Sequence, residues 1–300
     1  MSTVMSVTGP VSADQLGITS IHEHIYLDLS RHARGQSSLL NNQELAYDEL
    51  MMFKNAGGGT IVDQTTNGLR ESDHDILPVK HAVAVRDVAE RTGLNIILGA
   101  GWYREPFYDR RLYRAKIDEI AEELVRDVNE GIDGTDVRAG VLGEIGSHFT
   151  WVSPVEERVF RAVARAHKQT GVTILTHTNA WSVGLDQMDI LEAEGADLRR
   201  VVIGHSQSHP YHEYHAEIVR RGAFVAFDGM GRGNGFEHQE HLRLIKQMVD
   251  GGLIEHVLLG KNHAFVCTLP IIASRIFHHA ITTGTDANVI SHADLGDHPE

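Results

Sequence analysis

Short apolar runs of strand length recur along the chain, at Gly17–His22, Thr60–Thr65, Asn95–Trp102, Arg138–Glu144, Val172–His177, Val201–His205, Ala223–Asp228 and His256–Asn262. Most of the intervals between them carry apolar residues at helical spacing. Ile117, Ile120, Ala121, Leu124 and Val128, for instance, share one face of a predicted helix. The next interval has a start and a stop. Ser153 can cap, Pro154 suits the first helical position, Glu156 completes a capping box, and Gly171 suits the left-handed position past the end. Val159, Val163 and Ala166 would face the core. Parallel neighbours need a crossover between them, so eight strands alternating with helices predict an α/β fold, a (β/α)8 TIM barrel. A chain of 300 residues suits one such barrel, so residues 1–300 are expected to form a single domain.

Composition narrows the partners. The formal net charge is −14, and no run of five or more Lys or Arg occurs, which argues against a nucleic-acid or anionic-membrane surface and for a small-molecule substrate. No apolar stretch approaches the 18 or so residues that span a bilayer, and no period of 20 to 50 residues repeats. The single cysteine, Cys267, forms no intramolecular disulfide, and the first residues lack a basic region followed by a long apolar one. A reducing, cytoplasmic setting is expected.

The chemistry lies where these runs end. In Ile18-Thr-Ser-Ile-His-Glu-His-Ile25, strand alternation points His22 and His24 to one face, where they can share a metal. Glu144, His177 and His205 close the fourth, fifth and sixth runs, and in such barrels chemistry sits at the C-terminal strand ends. Four imidazoles and a carboxylate on one rim fit two divalent ions, with Zn2+ first and Co2+, Mn2+ or Fe2+ as alternatives. Asp63, Thr65 and Thr66 are placed to brace His22 and His24, or simply to satisfy backbone groups. Tyr103 and Arg104, after the third run, can bring a hydroxyl or guanidinium to a substrate oxygen, or else pack the rim. Gly57-Gly58-Gly59 lacks the Lys-Ser/Thr of a phosphate loop and reads as a helix stop before the second strand. His209, His212 and His215 read as surface or pocket lining. Gly229–Gly235 can contact substrate, and Phe265, Val266, Cys267 and Leu269 can shape the pocket mouth or simply pack.

The chain resembles the phosphotriesterase-like branch of the amidohydrolase superfamily, including its lactonases. The resemblance rests on His22-Glu-His24, Gly57–Asp63 with Thr65, Gly68 and Leu69, Gly101-Trp-Tyr-Arg-Glu105, Gly143-Glu-Ile-Gly146, Thr176-His177, Gly204-His205, and Gly284 with the tail after it. It implies a binuclear centre: His22 and His24 hold one ion, His177 and His205 the other, and a strand-four residue and a hydroxide bridge them. Many relatives carry a carboxylated lysine at that strand-four position; here it is Glu144, as in some relatives. At strand eight the family's aspartate, a metal ligand and proton acceptor, aligns with Asn262. An amide oxygen coordinates a metal but is no general base near neutral pH. Three readings stay open: an impaired site that keeps its pocket, proton relay through His263 or Asp228, or a register shifted by one residue. The expected activity is metal-assisted hydrolysis of lactones or carboxylic esters, with side activity on organophosphate triesters. Asn262, Tyr103, His263 and Asp228 are the catalytic candidates. Amide or N-acyl hydrolysis and a metal- or ligand-binding protein without turnover are the alternatives. A homodimer is the family-level expectation.

Overall fold

The computed structural model describes residues 3–30, 39–70, 76–178, 181–230 and 235–260, with backbone alone over 235–238. Eight parallel strands appear in the predicted order: β1 Ile18–Glu23, β2 Gly58–Asp63, β3 Asn95–Ala100, β4 Val141–Ser147, β5 Ile174–Thr178, β6 Val201–Gly204, β7 Phe224–Phe227 and β8 Val257–Leu259. Each pairs with the next in one sheet, from β1 to β8. The last strand returns beside the first: a methyl group on Gly260 would lie 3.1 Å from the His22 amide nitrogen, so glycine permits this approach. Among the described residues seven α-helices lie between the strands, α1 Gln43–Asn55, α2 His81–Thr92, α3 Ile117–Asn129, α4 Pro154–Thr170, α5 Val183–Ala193, α6 His212–Arg220 and α7 Gly235–Asp250. An antiparallel hairpin, Thr3–Ser6 with Gly9–Ser12, precedes β1. Among the described residues no helix is long and apolar enough to cross a membrane.

Alternation along the strands sorts the apolar side chains into two clusters. Val62, Ile97, Val141, Leu175, Val202 and Ala226, one from each of six consecutive strands, pack together inside the barrel. Their neighbours Ile61, Ile96, Leu142, Ile174, Ile203 and Val225 join the larger cluster under the helices. Both faces are buried, as a helix-wrapped parallel sheet requires. The predicted helices meet that outer layer with the expected residues. Ile120, Ala121, Leu124 and Val128 of α3 are buried, as are Val159, Val163 and Ala166 of α4. The α4 capping box of Ser153 and Glu156 is formed, and Gly171 closes the helix at φ 72°. Gly57 turns the chain from α1 into β2 at φ 98°, as its run of glycines suggested.

Most strand limits differ from the sequence pattern by a few residues, and two of the differences bear on the site. β4 does not end at Glu144 but continues to Ser147, because after a register irregularity Ile145, Gly146 and Ser147 pair with Thr176, His177 and Thr178. β3 ends at Ala100, and Trp102 makes only an isolated bridge to Asn67, since Gly101 at φ 133° breaks the strand. His215 is not at the surface. It is fully buried, with its ring against Phe227 and Nε2 at 2.8 Å from the Ser206 carbonyl oxygen.

Candidate metal centre

Strand periodicity carries some of the site residues inward and local irregularity carries the rest. Leu175 and Ala226 face the barrel interior, so His177 and Asp228, two residues further on, share that face. His22 lies where the β1–β2 register shifts between Ser20 and Glu23, His24 is the first residue past β1, and Glu144 lies where the β4–β5 register shifts between Leu142 and Ile145. His205, the first residue past β6, adopts a left-handed conformation (φ 53°, ψ 30°) that lifts it out of the strand direction. Its amide then donates to Asp228 Oδ2 at 3.0 Å, which offsets the strain of that backbone position.

These elements bring His22, His24, Glu144, His177, His205 and Asp228 together, all buried. Glu144 is central. Its Oε1 accepts from His177 Nδ1 and from His205 Nε2 at 3.0 Å, and lies 3.5 Å from His22 Nε2; its Oε2 lies 3.7 Å from His24 Nε2. Nε2 of His205 and Nδ1 of His177 are 2.7 Å apart. Three overlapping groups have ligand atoms close enough to hold a metal ion: His22, His24 and Glu144; Glu144, His177 and His205; and His22, His205 and Asp228.

The outer nitrogens of the imidazoles are held by a second ring of residues. Asp228 accepts from His22 Nδ1 at 2.8 Å, from His205 Nδ1 at 2.7 Å and from Gln207 Nε2 at 2.9 Å. His24 Nδ1 donates to Thr65 Oγ1 at 3.0 Å, and Thr65 in turn donates to Asp63 Oδ1 at 2.6 Å. With Nδ1 of each committed outward, His22 and His24 turn Nε2 toward Glu144, the nitrogen each would offer to a metal. Thr66 takes a different part: its hydroxyl donates to the Glu144 carbonyl oxygen at 3.2 Å. Gln207 was not singled out by the sequence. Its only signal was its place two residues after His205.

Charge in the site is unevenly distributed. Burial opposes ionisation of Glu144 and Asp228, but the facing histidines outweigh it and hold both carboxyls well below their ordinary values. Burial also opposes charge on His205, yet Asp228 and the hydrogen bonds to both carboxylates raise it to about 10. Burial pushes His24 down to about 3 and His177 to about 4, with Glu144 opposing in each case. Two anions therefore face one cation and further neutral imidazoles.

Tyr103 lies beside this cluster, its hydroxyl 3.5 Å from His177 Nε2 and its ring edge-on to that imidazole. The adjoining loops are pinned by Glu156, which accepts from the backbone amides of Glu105, His148 and Ser153. Asn262, His263, the residues named for the pocket mouth and Gly284 lie outside the described residues.

The chain matches a model of the phosphotriesterase family over residues 2–283, so Gly284 and the tail after it fall beyond the match. It is 30% identical over 252 residues to the phosphotriesterase homology protein of Escherichia coli K12, covering 84% of this chain and 83% of that one. It is 28% identical over 260 residues to the N-acetyltaurine hydrolase of Danio rerio, covering 76% and 72%. Among solved structures, a lactonase from Listeria monocytogenes superposes with a TM-score of 0.79 at 26% identity, over 88% of this chain and 83% of that one.

Proposed function

The chain belongs to the phosphotriesterase family, and from that premise we propose that it is a hydrolase with two divalent ions, acting on lactones or carboxylic esters. The observation that carries this reading is Glu144, whose single carboxylate meets all four imidazoles, Oε1 beside His177, His205 and His22 and Oε2 beside His24. The donor set fits. His22 Nε2 and Glu144 Oε2 are buried without a hydrogen-bond partner, an arrangement that costs free energy in a metal-free protein and suits ligands to a cation. In this reading His22, His24 and Glu144 hold one ion and His177, His205 and Glu144 the other, with zinc the first choice for imidazole and carboxylate donors. Bound there, the ions lower the pKa of water and polarise the carbonyl to be attacked.

The protein's own residues then have separate tasks. Asp228 and the Asp63–Thr65 pair fix the imidazole tautomers and ring planes. With its oxygens taken by His22, His205 and Gln207, Asp228 is better placed to hold ligands than to carry protons. Tyr103 offers a hydroxyl beside His177 to orient the substrate oxygen. Asn262 remains the strand-eight candidate from the sequence, as a neutral oxygen ligand, with His263 as the candidate proton carrier. Side activity on organophosphate triesters follows from the likeness of tetrahedral phosphorus to the transition state of acyl transfer.

Amide or N-acyl hydrolysis is the second reading, supported by the relatives named N-acetyltaurine hydrolases. Metal analysis of the purified protein, joined to a lactone, ester and amide screen before and after chelation, tests both. About two ions per chain with chelator-sensitive turnover is expected. Two ions and no turnover would leave a binding protein, and absence of metal after loading would end the reading.

A further inference from the structure

Arg104 is 5% exposed, and its Nε is buried with no hydrogen-bond partner. Among the described residues its guanidinium enters no ion pair; its contacts are with ring faces, 4.8 Å from the Tyr103 centroid and 5.6 Å from that of Phe107. Arg70, the other buried arginine near the site, is fully provided for. It donates to Asn67 Oδ1 and to the carbonyl oxygens of Thr65 and Gly99, and lies 3.3 Å from Asp133. Buried charges in proteins are ordinarily paired, because desolvating an ion costs several kcal/mol that ring faces recover only in part.

Its position gives the exception a use. Arg104 directly follows Tyr103, whose hydroxyl meets His177 Nε2. Across the chain at Gly146, where only a hydrogen stands, the Cβ atoms of His177 and Arg104 lie 3.1 and 3.4 Å from where a methyl would sit. The cation therefore borders the candidate metal centre on the His177 side, stacked on the tyrosine whose hydroxyl meets that imidazole. A planar guanidinium with its donors unspent is suited to an oxyanion, which it binds through paired N–H groups.

We propose that Arg104 receives an anionic group of the substrate, so that this enzyme hydrolyses lactones, esters or amides bearing a carboxylate, sulfonate or phosphate apart from the bond that is cleaved. This rests on the hydrolase reading above. The anion supplies the missing counter-ion, and Tyr103, stacked on the guanidinium, links that subsite to the reacting carbonyl.

Matched substrates test it: γ-butyrolactone against its ring-carboxylated form, 4-nitrophenyl butyrate against mono-4-nitrophenyl succinate, and N-ethylacetamide against N-acetylglycine, with sulfonate and phosphate analogues separating the three oxyanions. The metal-loaded protein should prefer the charged member of a pair. Arg104→Met should lower kcat/KM for that member by about tenfold to a hundredfold, mainly through KM, leave the neutral member within about threefold, and Arg104→Lys should restore part of the loss. Equal losses on both members, or no preference in the unaltered protein, would overturn the proposal. Titration calorimetry with glutarate gives a readout independent of turnover. Binding at least about tenfold weaker in a folded Arg104→Met protein supports the subsite even if the hydrolase reading fails, and equal binding refutes it even if that reading holds.

Discussion

His22 and Asp228 are 206 positions apart in the chain, yet Nδ1 of one lies 2.8 Å from Oδ2 of the other, both side chains wholly buried. This contact joins the first barrel strand to the seventh, and the same carboxylate holds His205 from the sixth.

Replacing Asp228 by Asn leaves one acceptor oxygen where two served, and puts an amide donor against an imidazole N–H. Metal affinity should fall about 10- to 100-fold, as when other outer partners of metal-binding histidines are removed. Competition with a chromophoric chelator measures it, and an unaltered affinity would mean that packing alone orients the rings.

Tyr103→Phe removes the hydroxyl 3.5 Å from His177 while keeping the ring under Arg104. Lactone kcat should drop about tenfold or more with metal content unchanged. Unchanged turnover would return Tyr103 to rim packing.

Glu156 meets three backbone amides from two loops and the start of α4, at 3.1, 2.8 and 3.0 Å. Glu156→Ala strands all three, and unfolding free energy should fall by about 3 kcal/mol. Urea denaturation reads this out, and a loss below about 1 kcal/mol would show that water replaces the carboxylate.

Asp127, buried in α3, titrates at about 7; burial is the main cause, with Asp133 and Glu123 adding to it and Arg70 opposing. The folded protein therefore holds this proton at a pH where the unfolded chain, titrating near 3.8, has lost it. Its contribution to stability is complete below about 4 and is lost as pH rises through 7. Asp127→Asn should match the parent near pH 4 and exceed it at pH 8 by up to a few kcal/mol. Parallel melting curves at the two pH values would show no divergence if the carboxyl is ordinary.

Much of this protein follows from local pattern. Periodicity alone placed the eight strands, the buried faces of α3 and α4 and the Ser153–Gly171 helix limits, because each depends on residues within a few positions of one another. The convergence of His22, His24, Glu144, His177 and His205 was also legible, since a barrel of parallel strands delivers its strand ends to one rim. The roles of their neighbours were not. Thr66 turned to the Glu144 carbonyl, Gln207 and Asp228 became a brace, His215 went to the core, and Arg104 was left without a counter-ion among the described residues. Each of these outcomes is set by angles and distances between segments remote in sequence. A 3 Å hydrogen bond depends on the register shifts in β1 and β4 and on the left-handed turn at His205. The amino-acid order determined which strands form and which chemistry reaches the rim; only the closed barrel decided which side chain holds, which packs and which charge is left to find a partner.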